Sequence, residues 1–277
     1  MSPLLVFALS LVGSINAMPT NVRYFDLTHT FEETAVVLPG FRKFFQIDQL
    51  MNSSSDDFGG LWFKAEIYSQ NSHSGTHMDA PSHVVPDGIN IDEMPVSQFH
   101  GPAAVVDITE RARLNVDAEV TVQDFLEWES GTGQSLNGTI VLIRTGWAEK
   151  YNDQAAYLGT ADTAEDTSQI HYPGMSVEAC HWLAENRNIK GLGSDTLSPE
   201  SGVIFFSNNL ACHNAMLPRG IFLLESVAVK KELPLYGASL TALPQKIVKG
   251  SGAPTRIVAT VPKLVENLPT SCNAIKK

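Results

Sequence analysis

Cations are scarce in this chain. Its 277 residues hold 19 Lys and Arg against 30 Asp and Glu, a formal net charge of -11, and no basic run. Such a surface repels polyanions, which excludes nucleic acid and anionic membrane as expected partners. Cysteine is nearly absent too: Cys180, Cys212 and Cys272 are all there is. An odd count excludes complete intramolecular pairing and leaves either one disulfide with one free thiol or three buried thiols. There is no Gly-x-Ser-x-Gly segment of the kind an α/β-hydrolase carries, no phosphate loop and no dinucleotide fingerprint. Residues 18–277 contain no heptads, no repeat, no low-complexity tract and no apolar run long enough to span a bilayer.

An apolar run opens the chain. Residues 4–12 are apolar except for Ser10, and Gly13, Ser14 and Ala17 supply small residues next to them. The pattern predicts a signal peptide over residues 1–17 and a secreted, soluble mature chain. Asn52-Ser53-Ser54 and Asn137-Gly138-Thr139 are acceptor tripeptides for glycosylation in a eukaryotic source.

With 43% hydrophobic and 18% charged residues the composition is globular, and residues 18–277 read as a single α/β domain. Apolar, β-branched runs over 103–108, 139–144, 220–227 and 256–261 predict buried strands. Residues 64–68 alternate and predict a strand. Residues 176–188 predict a helix capped by Ser176, with Val177, Cys180, Leu183 and Ala184 as its apolar stripe. Residues 121–129 predict a second helix, with Thr121 and Asp124 spaced as a capping box. Residues 151–174 are polar and read as a loop over a site or an edge.

The most informative stretch is His73-Ser74-Gly75-Thr76-His77-Met78-Asp79-Ala80-Pro81-Ser82-His83. Three of the chain's eight histidines fall inside it. His73, His77, Asp79 and His83 all occupy odd positions, so an extended backbone projects them from one face. Gly75 and Pro81 disfavour a helix here. Three imidazoles and a carboxylate on one face are the ingredients of a divalent metal site.

This stretch resembles the signature His-x-Gly-Thr-His-x-Asp-x-Pro-x-His of the cyclase family, whose members include bacterial kynurenine formamidases and isatin hydrolases. Every fixed position matches. Asp26-Leu27-Thr28-His29 resembles the family's opening segment, and Gly193-Ser194-Asp195-Thr196 its strand-end aspartate. Cys212-His213, with Glu225 twelve residues on, resembles the late His and Glu of the formamidases. Residues 41–60 and 151–174 have no close counterpart and are where specificity is expected.

The resemblance implies a compact swivelling β/β/α domain, a mixed central β structure flanked by helices, assembled as a homodimer or homotetramer. It implies that His73, His77 and Asp79 bind a first ion. Asp79 bridges to a second held by His213 and Glu225, and His83 is the general acid/base. The donor set suits zinc or manganese, one ion or two. A divalent cation lowers the pKa of a bound water from about 15.7 to near 7, and an imidazole of pKa ~6.5 shuttles protons to a leaving nitrogen. The implied activity is hydrolysis of a C–N bond in a small amide, formamide or lactam. The alternative is a secreted binding protein that keeps the metal scaffold without turnover.

Other residues have plainer readings. Glu225 sits in the apolar run Ile221-Phe222-Leu223-Leu224-Glu225, where a carboxylate is costly unless paired or metal-bound. Asp195 reads as a turn cap as readily as a functional group. His29 reads equally as a substrate or outer-sphere contact and as a structural hydrogen bond. His100, His171 and His181 have no expected catalytic part. Core packing is the default for Trp62 and Phe63, an aromatic substrate wall the alternative. Cys212 beside His213 evokes a nucleophile, but neighbours on a strand face opposite ways.

Overall fold

A computed structural model describes residues 22–33, 36, 45–54, 59–160, 167–263 and 268–271, without the side chains of 52–54. The predicted signal segment 1–17, the Asn52 side chain and Cys272 lie outside the described residues. One large mixed sheet organises the fold. Its strands are β1 (Val22–Asp26), β4 (His77–Asp79), β5 (His100–Asp107), β7 (Ile140–Arg144), β9 (Gly191–Ser194), β10 (Phe222–Glu225), β11 (Ser239–Pro244) and β12 (Gly252–Pro262). They run in the order β1-β12-β11-β5-β7-β9-β10-β4, and β4 pairs back onto β12, closing the sheet into a barrel-like wall. β5, β7, β9 and β10 are mutually parallel, and the remaining pairings are antiparallel. The mixed β structure flanked by helices is the architecture expected.

Closure explains the unbroken apolar runs. On β7, Ile140 and Leu142 face the barrel interior, where they meet Val105, Phe222, Leu240 and Ile257. Val141 and Ile143 face outward and meet the helices through Phe125, Trp128, Leu183 and Met216. Both faces are dry, so the strand reads as continuous hydrophobic sequence rather than alternation. Each fully buried side chain of this size contributes about 1.5–3 kcal/mol. Gly191 is required by this packing, because a Cβ there would stand 2.3 Å from the Phe222 ring.

The outer layer contains α1 (Thr109–Leu114), α2 (Val122–Thr132), α4 (Val177–Asn186) and α6 (Ala211–Met216), with α5 (Gly202–Phe206) ahead of α6 and a two-stranded sheet of β6 (Glu119–Val120) and β8 (Gly174–Met175). The predicted capping signals are used. Thr121 N donates to Asp124 Oδ2 at 2.7 Å ahead of α2, and Ser176 Oγ accepts from Ala179 N ahead of α4. Cys180 of α4 and Cys212 of α6 form a disulfide. This takes Cys212 out of consideration as a nucleophile and shows that residues 212–213 belong to a helix, not a strand.

Three further expectations change. Residues 151–174 are not merely a polar loop: they contain α3 (Gln154–Leu158) and a 3₁₀ turn (Thr167–Gln169). Tyr151, Tyr157, Leu158, Ile170 and Tyr172 join Trp147 in a third buried cluster. The tyrosines hide a core inside a segment whose Ala, Asp and Thr content looks exposed. Trp62 and Phe63 lie on β3 (Trp62–Gln70), which among the described residues pairs only with β2 (Phe45–Ser54). Trp62 is 69% exposed and Phe63 42%, so neither packs in the core. Finally, only His77–Asp79 of the motif is a strand; His73 sits in a turn and His83 ends a 3₁₀ turn, Pro81–His83. No helix among the described residues is long and apolar enough to cross a membrane.

Candidate metal centre

β4 lies between β10 and β12, and its register builds the site. His77 stands opposite Glu225 on β10 and Pro254 on β12; Asp79 stands opposite Leu223 and Gly252. Strand alternation sends Met78 into the barrel core and turns His77 and Asp79 outward. Glu225, directly across from His77, joins them on the same face. α6 then lays His213 over this face. The backbone of Gly75, at φ +64°, turns the chain ahead of β4. Pro81 starts the turn that brings His83 back, with Ala80 extended as the residue before a proline prefers. Gly252 leaves room for the His73 ring, which would be 2.5 Å from a Cβ at that position.

All six residues converge. His73 Nδ1 lies 2.7 Å from Asp79 Oδ1, and His77 Nε2 lies 3.3 Å from the same oxygen and 3.5 Å from Glu225 Oε2. His213 Nε2 is 3.5 Å from Asp79 Oδ2 and 3.3 Å from Glu225 Oε1. The His83 ring stacks on His73 with centroids 3.9 Å apart and stands 5.7 Å from the His213 ring. His77, Asp79, His213 and Glu225 are buried.

The chemistry of the donor set fits a cation. Asp79 Oδ2 and Glu225 Oε1 are buried without a hydrogen-bond partner, although each faces His213. Two carboxylates that close repel unless a positive charge lies between them. Two overlapping sets have donor atoms within 4.8 Å of one another: His73, Asp79 and His83, and His77, Asp79 and Glu225. Asp79 belongs to both. A backbone carbonyl, Gly75 O, accepts from His77 Nδ1 at 2.8 Å, which leaves His77 Nε2 to face the cluster.

Protonation equilibria follow the same crowding. Burial pulls the His77 imidazole down, but the charges of Asp79 and Glu225 outweigh it and push it up to about 9. Burial favours neutral Asp79, yet the His77 charge and the hydrogen bond with His73 hold it well below the usual carboxylate range. Burial and the neighbouring Asp79 charge push Glu225 up. Burial, helped by nearby imidazoles, lowers His83 to about 4 despite Asp79.

Sequence reasoning missed the residue behind His213. Glu200, fully buried, accepts from Cys212 N at 2.7 Å, His213 N at 3.1 Å and His213 Nδ1 at 3.0 Å, all on Oε1. Ser198 Oγ donates to its Oε2 at 2.6 Å. No periodicity or motif marks Glu200 in the sequence. It also missed Ser251, whose Oγ meets His73 Nε2 at 2.8 Å, and Thr76, whose Oγ1 donates to Ser226 O and accepts from His29 N. Thr76 thereby fastens β4 to the end of β10. Asp195 takes its plainer reading: it accepts from Thr145 N, Thr145 Oγ1 and Gly146 N, and burial raises its carboxyl to about 6. His29 stacks on Tyr151 at 3.7 Å, and its Nε2 is buried without a partner. His100 bonds Thr241 and His171 pairs with Asp117, away from the cluster.

Buried imidazoles and carboxylates on the outer face of a closed mixed barrel make the donor set of a divalent metal centre. The Cyclase family model, described as "Putative cyclase", matches residues 25–201. Isatin hydrolase of Roseibium aggregatum is 31% identical over 231 residues, 81% of this chain and 85% of that protein. Kynurenine formamidase of Salinibacter ruber is 30% identical over 190 residues, 67% of this chain and 74% of its own. The solved isatin hydrolase A of Labrenzia aggregata, bound to benzyl benzoate, matches with a TM-score of 0.75 and 33% identity, covering 87% of this chain and 94% of that one. The chain belongs to the cyclase family, and it is a metal-dependent hydrolase of that family.

Proposed function

We propose that this chain hydrolyses the C–N bond of a small, aromatic amide, formamide or lactam outside the cell. The observation that carries the reading is the convergence of His73, His77, Asp79, His213 and Glu225 on one buried face, with two carboxylate oxygens left unpartnered. These five would hold zinc or manganese, as one ion or two, with Asp79 shared. When bound, such a cation supplies an acidified water and draws charge from a carbonyl. His83 stands at the rim, stacked on His73, and carries the proton from the attacking water to the leaving nitrogen. The names of the relatives support isatin-like lactams and formylated aromatic amines as substrates. The aromatic cluster of Trp147, Tyr151, Tyr157 and Tyr172 lies alongside: the Tyr157 hydroxyl donates to Ser226 Oγ, one residue from Glu225.

Secretion of a single domain, residues 18–277, is supported by the apolar leader and by the Cys180–Cys212 disulfide, a bond suited to an oxidising compartment. Assembly into a homodimer or homotetramer is supported by the β2–β3 hairpin. It exposes Leu50, Trp62, Ile67 and Tyr68 on a two-stranded sheet that is marginal alone.

The test is turnover of isatin and N-formylkynurenine by purified protein reloaded with Mn²⁺ or Zn²⁺. Product formation that a chelator abolishes is the expected result. Full activity in a metal-stripped preparation overturns it. Stoichiometric binding of both compounds without product establishes the binding protein instead.

A further inference from the structure

His213 is presented to the cluster by groups that are not themselves in it. Its Nδ1 meets both oxygens of Glu200, at 3.0 and 3.1 Å. An ionised carboxylate only accepts, so Nδ1 must be the protonated nitrogen. Nε2 is then the nitrogen turned to Asp79 Oδ2 and Glu225 Oε1. The same carboxylate also takes the backbone N–H groups of Cys212 and His213, and Cys212 is anchored to α4 through its sulfur. Ring and backbone of residue 213 are therefore both held by one side chain.

We propose that Glu200 is the positioning residue of the late half of the metal centre, setting the tautomer and aim of His213 and so the affinity for the cation. This rests on the reading of His213 as a ligand. Glu200 touches neither the cation nor the substrate, and it acts only through the imidazole. Gln at this position keeps the size but offers one acceptor oxygen where the carboxylate offers two. It cannot receive Cys212 N, His213 N, Nδ1 and Ser198 Oγ together. An outer-sphere carboxylate on a ligating histidine is typically worth about 10–100-fold in metal affinity.

The experiment is calorimetric titration of the metal-stripped full chain with Mn²⁺ and with Zn²⁺, for wild type, Glu200→Gln, His213→Ala and the double variant. Glu200→Gln is expected to weaken cation binding about 10–100-fold. In the His213→Ala background the same change is expected to add less than about twofold, the mark of a residue acting through its partner. Capping of α6 alone would shift unfolding and leave that coupling absent. Wild-type affinity in Glu200→Gln, or an equal loss with and without His213, overturns the proposal while leaving His213 as a ligand. Unchanged binding in His213→Ala removes the ligand reading and this inference together. Should Glu200→Gln fail to fold, Ser198→Ala removes the donor to Oε2 instead. A several-fold loss of affinity supports the proposal, and none overturns it.

Discussion

The two halves of the metal centre are built in opposite ways. The early half is local: His73, His77, Asp79 and His83 occupy eleven consecutive positions and are aimed by a turn, a three-residue strand and a proline-led turn. The late half is assembled from α6, β10 and the segment carrying Glu200, three pieces joined only through space. In the early half backbone geometry does the aiming. In the late half contacts between distant segments do it: Glu200 fixes His213, and pairing of β10 with β4 fixes Glu225. The lesson is that a local motif tolerates changes around it, while the assembled half depends on contacts far from the reacting atoms.

Asp79 belongs to both halves, so removing its charge is the sharpest way to break the comparison. Asp79→Asn is expected to abolish both cation binding and turnover, as chelation does, a loss above about 10³-fold. Residual single-ion binding with the late ligands would show that the halves are independent. His83→Ala tests whether the early half separates binding from proton transfer. Its kcat should fall about 10²- to 10⁴-fold, with the cation stoichiometry unchanged by elemental analysis. Loss of the ion would instead make His83 a ligand, as its proximity to His73 and Asp79 permits.

The next effect belongs to the late half alone. Replacing Cys180 and Cys212 by Ser opens a link spanning 32 residues. Denaturant unfolding should then register a loss of about 2–4 kcal/mol. Cation affinity should weaken with it, because α6 carries His213. A variant that loses stability but binds the ion as wild type would show that Glu200 suffices. The smallest expected effect concerns His29, at the edge of the early half. Burial and the Lys230 charge lower its imidazole from 6.5 to about 4. Between those values the unfolded chain takes up a proton that the folded chain refuses, so stability is lost as pH falls from 6.5 towards 4. His29→Phe, which keeps a ring against Tyr151, should flatten the unfolding midpoint across that window. An unchanged pH slope would show that His29 is not buried neutral.

Residues that declared themselves in the sequence did so because their constraint is local. The Ser176 and Thr121 caps act on amides two or three positions away and appear where expected. The buried strands announced themselves through runs whose two faces are both covered, though β12 extends to Gly252, before the predicted start. His213 and Glu225 were legible only through their spacing in the family pattern. Glu200 was not legible at all, since the amides and imidazole it holds lie 12 and 13 positions away, beyond a short helix. Trp62 and Tyr172 show the converse: an aromatic residue alone does not say whether it will be 69% exposed or fully buried.

By itself the chain determined that three imidazoles and a carboxylate crowd into one short stretch, residues 73–83, a grouping with few uses besides holding a cation. It also determined where helices begin and which strands are covered on both sides, since caps and apolar runs act over a few residues. Tertiary structure alone decided that β4 is gripped between β10 and β12, that His213 rides on a helix tied by a disulfide, and that Glu200 stands behind it. Those outcomes depend on closure of the barrel, which brings together groups far apart along the chain, and no local preference encodes a distance of that kind.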